Sequence, residues 1–378
     1  MVTEMNRLLL SLLLLTLVLT PTAICSALDL EQLTYEFSQD LDIDELWEEW
    51  LEPGQYMTML TPDGEIITQT GRRIFEGDEY LTSDNRLYRV IEVKDNTAYT
   101  ELVEEKVDLA KEFISLREIR EALGLSAAQA QEKDGKSGLI AIYHTHNAES
   151  YVPTDGTDSI DGKGGIHAVG SGFAESLESL GVDVEYSQTL HLPHDRGAYR
   201  RSRSTVLELL ALNPDAIFDV HRDAAPRDAY AANIADEWIT QIQFVVGRQN
   251  QNLGVNRQYA QSLKAAADEL YPGLVKGIFY ARGNYNQDLS PLNLLLEVGA
   301  HTNSREAAVR GISLFAEVVD FYFYGPRDRE QGTMAAKGSQ SAFRTILWIV
   351  LFLVATGTGF YIINAGGWKA ALAKLKRK

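Results

Sequence analysis

Three short stretches of the chain carry side chains that hold metal ions and move protons. The first is Tyr143-His144-Thr145-His146-Asn147-Ala148-Glu149, which begins where the apolar run 138–143 ends. Imidazole nitrogen and carboxylate oxygen both suit zinc, and a spacing of three lets His146 and Glu149 face one point from a tight turn or a first helical turn. His144 competes with His146 for the ligand role. The second stretch is Asp219-Val220-His221-Arg222-Asp223, at the end of the apolar residues 216–218. The third is Glu297, an acid inside the leucine-rich run 292–299. An unpaired buried carboxylate is costly, so Glu297 needs a cation, a metal or a raised pKa. A salt bridge to Arg222 or Arg282 would meet that need with no function attached.

Singly, each stretch says little, because His-x-x-Glu pairs decorate many surfaces and a histidine closing a buried strand is commonly a satisfied core residue. Together, three strand ends deliver ionisable groups to one edge of a sheet. They supply two histidines and a carboxylate for a catalytic zinc with an open position for water, and they leave Glu297 as general base and acid. A His-Glu-x-x-His helix is absent from the sequence, which excludes the thermolysin type. His167, His191, His194 and His301 have no comparable strand-end setting, although His194 and Asp195 could line the cleft.

The elements that must position these residues follow from periodicity. Buried strands are expected at 138–143, 182–186, 216–220, 240–246 and 293–298, and helices at 173–180, 199–212, 252–270 and 305–323. Such alternation predicts a three-layer α/β/α domain over 138–325 with a mostly parallel or mixed sheet, phosphorylase/hydrolase-like in class. In open sheets of this kind ligands gather beyond the carboxyl ends of the strands, where the three stretches lie. Upstream, turn signals at 53–54, 62–64 and 83–85 separate short alternating runs, so 28–125 reads as a small β-rich module with flanking helices, the last of them at 101–125. A polar linker follows at 126–137. No chemistry is legible in the module, which reads as a spacer or docking element.

The remaining features bound the setting. The chain has 378 residues with 53 acidic against 35 basic, a formal charge of −18 that argues against nucleic acid as a partner. With Cys25 as the single cysteine, any metal must rest on histidines and carboxylates. Residues 1–27 read as a secretory signal peptide. Residues 326–343 read as a polar, Gly-rich stalk, 344–363 as a transmembrane helix whose stretch 346–363 carries no charge, and 364–378 as a basic tail. By the positive-inside rule the C-terminus is cytoplasmic, the protein is a single-pass protein of the cell membrane, and the body lies outside.

His146 is preferred over His144 because its spacing to Glu149 is similar to the His-x-x-Glu ligand pair of zinc carboxypeptidases. More specifically, the strings IYHTHNAESYVP (142–153), DVHRDA (219–224) and YNQDLSPLNLLLEVGAHTNSREA (285–307) resemble, in order, the stage II sporulation protein P family, with a likeness covering about 138–324. The resemblance implies a zinc-dependent N-acetylmuramoyl-L-alanine amidase acting on peptidoglycan during forespore engulfment, with endopeptidase activity as an addition and other sporulation cell-wall hydrolases as partners. The reading of the residues takes His146, Glu149 and His221 as zinc ligands and leaves His144 as a supporting or substrate-contacting group, while the resemblance implies Glu297 as the catalytic acid/base and Arg222, Asn286 and Gln287 as substrate-orienting groups. A zinc carboxypeptidase on peptide termini and a non-catalytic wall-binding scaffold are the alternatives.

Overall fold

The computed structural model describes residues 51, 54–109 and 138–325. The expected signal peptide, linker 126–137, stalk, transmembrane helix and basic tail lie outside the described residues. Among the described residues no helix is long and apolar enough to cross a membrane.

Thirteen strands and five α-helices are described. The strands are β1 (Met57–Leu60), β2 (Ile66–Thr70), β3 (Glu79–Thr82), β4 (Leu87–Lys94), β5 (Thr97–Glu104), β6 (Leu139–Tyr143), β7 (Asp183–Tyr186), β8 (Ala216–Asp223), β9 (Ala231–Ile234), β10 (Glu237–Thr240), β11 (Ile242–Gly247), β12 (Val275–Ala281) and β13 (Asn293–Ala300). The helices are α1 (Val152–Asp155), α2 (Ile166–Ser179), α3 (Ala198–Leu210), α4 (Leu253–Leu270) and α5 (Arg305–Tyr324). Eleven strands form one mixed sheet in the order β2-β1-β5-β4-β3-β12-β11-β13-β8-β6-β7.

The sheet is mixed, as the alternating pattern predicts. Strands β13, β8, β6 and β7 run parallel in sequence, and β11 enters antiparallel to β13. Side chains alternate between two apolar layers, as the period of two requires. Ile140, Ile142, Phe218, Val220, Leu294 and Leu296 pack with Phe173 of α2 and Phe315 of α5. On the other face, Ala141, Tyr143 and Ile217 meet Val206 and Leu209 of α3. The short apolar runs within β8, β11 and β13, and the burial of every residue in these strands, follow from cover on both faces. Helix α5 opens on Ser304, whose hydroxyl accepts from the Ala307 N–H, with Glu306 in the first turn to meet the helix dipole.

Three expectations change. The segment expected to be helical from 101 begins instead as the end of β5, held by antiparallel pairing to β4. Strand β12 and the β9–β10 hairpin were not expected. In β12, Lys276 and Gly277 interrupt the apolar run, yet Gly277 is what the seam needs, because a Cβ there would lie 2.5 Å from the Tyr80 ring and 2.6 Å from the Leu81 carbonyl. Finally, the β-rich segment shares the sheet of the α/β part. Strand β3 pairs antiparallel with β12, and Met57, Met59 and Val90 pack with Val245 and Leu295 on one face.

Candidate metal and catalytic centre

Parallel registration of three strands builds the site. Tyr143 stands opposite Asp219 on β6 and β8, and His221 stands opposite Glu297 on β8 and β13. Because side chains alternate, Asp219, His221 and Asp223 share one face of β8. Beyond β6 the chain turns through residues 144–150, and this turn is fastened to β8 from both sides. The Arg222 N–H donates to Glu149 Oε2 at 2.9 Å, while its guanidinium donates to the Ser150 carbonyl at 3.2 Å and the Asp158 carbonyl at 2.9 Å. The Thr145 N–H and hydroxyl donate to Asp219 at 2.8 and 2.6 Å.

These constraints make His146 and His221 converge on Glu149. Each presents Nδ1 at 3.4 Å from Glu149 Oε1, and the two rings stand edge to face with centroids 4.9 Å apart. His194 approaches from a loop, so that donor atoms of His146, Glu149 and His194 lie within 4.8 Å of one another. The first three side chains are buried, at 2, 4 and 1 % exposure for His146, Glu149 and His221. A separation of 3.4 Å is long for a hydrogen bond. It is the spacing of two tetrahedral ligands each about 2.1 Å from zinc, roughly 3.4 Å apart. The donor set and its spacing therefore fit zinc held by His146 Nδ1, His221 Nδ1 and the Glu149 carboxylate. His221 Nε2 lies 2.8 Å from Asp219 Oδ1, a carboxylate behind an imidazole that fixes which nitrogen faces the site.

The electrostatics divide along the cleft. Burial drives His146 down to about 3 against the pull of Glu149. Burial also disfavours charge on His221, but Asp219 and Glu149 overcome it and raise the imidazole to about 10. Glu149 is buried too, yet His221 and His146 hold its carboxyl well below the usual range. Glu297 differs: burial raises it to about 7, with Arg72 opposing the rise and Asp223 assisting it. Arg72 donates through Nε at 3.0 Å and through Nη2, both to Glu297 Oε1, while Oε2 has no hydrogen-bond partner among the described residues. Glu149, Glu297, Arg72, Arg222, His194 and His301 line a common cleft of about 600 Å³.

The expected supporting residues fare unequally. Both ring nitrogens of His144 are engaged, Nδ1 with the Val220 carbonyl at 2.6 Å and Nε2 with the Tyr186 hydroxyl at 2.8 Å, so it braces β8 beside His221 and does not meet the cleft. Arg222 lines the cleft, but its donors hold the 144–158 loop. Asn286 and Gln287, expected to orient substrate, are instead internal braces. Asn286 donates to the Tyr199 carbonyl and Ser202 hydroxyl, and Gln287 clasps β11 through the Gly247 N–H and Val245 carbonyl. They lie at a turn in which Tyr285 and Asn286 adopt φ of 55° and 57°, and their buried amides are spent on groups of α3 and β11. Glu297 pairs with neither Arg222 nor Arg282; Arg282 sits 4.6 Å from the centre of the Phe75 ring. Sequence reasoning missed Arg72 altogether, and it left His194 outside the ligand set.

The family model described as Stage II sporulation protein P (SpoIIP) matches residues 69–320. Stage II sporulation protein P of Bacillus subtilis (strain 168) is 33 % identical over 208 residues, covering 50 % of this chain and 52 % of the relative. The chain thus spans about half the length of that curated relative. Among solved structures, the N-acetylmuramyl-L-alanine amidase Ami1 from Mycobacterium smegmatis aligns at 14 % identity and a TM-score of 0.34, covering 49 % of this chain and 94 % of that one. The CwlD amidase from Clostridioides difficile, solved in complex with the GerS lipoprotein, aligns at 12 % identity and a TM-score of 0.34, covering 50 and 95 %.

Proposed function

The chain belongs to the stage II sporulation protein P family, and from that premise we propose that it is a membrane-tethered, extracytoplasmic zinc amidase of sporulation that cleaves the bond between N-acetylmuramic acid and L-alanine in peptidoglycan. The observation that supports the reading is the convergence of His146 and His221 on Glu149 at ligand spacing, with Glu149 lining the same cleft as a buried Glu297 whose Oε2 has no hydrogen-bond partner among the described residues. When bound there, zinc supplies Lewis acidity that activates water and polarises an amide carbonyl.

The chain's own residues supply the rest. Asp219 Oδ1 lies 2.8 Å from His221 Nε2 and pairs with the imidazole on the side away from Glu149, so that Nδ1 faces the site. Arg222 fixes the loop that carries Glu149. Glu297 Oε2 takes the proton of the attacking water and passes it to the leaving amide nitrogen, a role suited to a carboxyl poised near neutrality. A cleft of about 600 Å³ accommodates a muramyl-peptide segment. The expected span at 344–363 would hold this body at the outer face of the cytoplasmic membrane, with the tail 364–378 inside.

Mass analysis of sacculi digested by the zinc-loaded full-length protein tests the assignment. The proposal expects release of intact stem peptides that begin with L-alanine, with chelation abolishing the release. Release of single terminal residues alone would establish the carboxypeptidase reading instead, and binding without any release would establish a scaffold.

A further inference from the structure

The β-rich segment carries no chemistry legible in sequence, yet it sends one side chain into the centre of the site. Strand β2 ends at Thr70, and Asp223, two residues past His221 on β8, captures the chain as it leaves. Asp223 Oδ1 accepts from the Thr70 hydroxyl at 3.0 Å and from the Gly71 N–H at 2.8 Å. Its Oδ2 accepts from the Tyr230 hydroxyl at 2.8 Å, which fixes the carboxylate. Gly71 fits because it lacks a Cβ, which would lie 2.4 Å from that of Ala224. This latch delivers Arg72 to Glu297 across 225 residues of sequence.

A buried arginine beside a buried glutamate has a plain explanation in charge neutralisation. Two observations go further. An arginine that only neutralises a carboxylate commonly forks across both oxygens. Here Nε and Nη2 both address Oε1, and Oε2 has no hydrogen-bond partner among the described residues. Arg72 and Glu297 also both line the cleft, beside Glu149. The guanidinium is itself steadied by the Tyr285 ring, 5.2 Å from its centre.

We infer that Arg72 is a positioning residue of the hydrolytic centre, holding Glu297 by Oε1 so that Oε2 is the oxygen presented to the reacting atoms, and that the β-rich segment is part of the catalytic unit. The inference rests on the amidase reading above. It assigns Arg72 no contact with substrate; the residue acts through Glu297.

The test uses the full-length protein in detergent, loaded with zinc, on a soluble muropeptide. Arg72→Ala is expected to lower kcat by about 100-fold, a part of what a general base contributes, while KM and bound zinc stay near wild type. Methylguanidinium in the tens of millimolar should restore part of the Arg72→Ala rate and none of the rate of Glu297→Gln. Turnover by Arg72→Ala at the wild-type rate overturns the inference, as does a loss that methylguanidinium leaves unchanged. Should Arg72→Ala fail to fold, Arg72→Lys decides: a folded variant with kcat down about tenfold and KM unmoved supports the assignment, and an unchanged kcat overturns it. An inactive wild-type protein would overturn the amidase reading itself, so the two failures are distinguishable.

Discussion

Glu149 and Glu297 are two buried carboxylates in one cleft, and their surroundings drive them in opposite directions. Glu149 sits between two imidazoles and accepts the Arg222 N–H, and these neighbours keep it ionised far below neutrality. Glu297 has one cationic partner on one oxygen, Asp223 nearby, and burial that raises it to about 7. In the proposed function the same side chain serves as a metal ligand at one end of the cleft and as a proton carrier at the other. Pairs of acids whose environments push them apart are a general route to dividing such roles.

The comparison can be broken at the metal end first. His221→Ala removes one zinc donor and leaves Asp219 facing a void, so bound zinc and hydrolysis should both fall to background; metal analysis with a sacculus-release assay reads this. Asp219→Asn keeps all three proposed donors but removes the negative charge 2.8 Å from His221 Nε2. Zinc affinity is expected to fall by roughly 10–100-fold, measured by competition with a chelating dye, while excess zinc restores turnover. The smallest effect sharpens the boundary of the site. Asn286→Ala should cost about 1–3 kcal/mol of stability by leaving buried partners unsatisfied, read by chemical denaturation, with KM for muropeptide unchanged. A raised KM at full stability would return Asn286 to substrate binding.

How much of this was legible in sequence depended on the range of the interaction. His146, His221 and Glu297 stood out because each interrupts or closes an apolar run, a signal contained within a few residues. The mixed sheet was legible for the same reason, since β6, β8, β11 and β13 each hold a short apolar run. Strand β12 was hidden by Lys276 and Gly277, whose reason is the close passage of Tyr80 from another part of the chain. Arg72 was invisible because its role exists only once Asp223 captures Gly71, and nothing local to 70–72 encodes that. Asn286 and Gln287 were misread because polar residues beside a strand that carries a buried acid resemble substrate contacts until the fold shows their amides bonded to α3 and β11.

The central claim is that Glu149 binds the metal while Glu297 moves the proton. It is tested most directly by measuring bound zinc and sacculus hydrolysis side by side in Glu149→Gln and Glu297→Gln. The account predicts that Glu297→Gln retains zinc and loses hydrolysis by about 100-fold or more, whereas Glu149→Gln loses both. Hydrolysis at the wild-type rate by zinc-loaded Glu297→Gln, or undiminished zinc in Glu149→Gln, would contradict it.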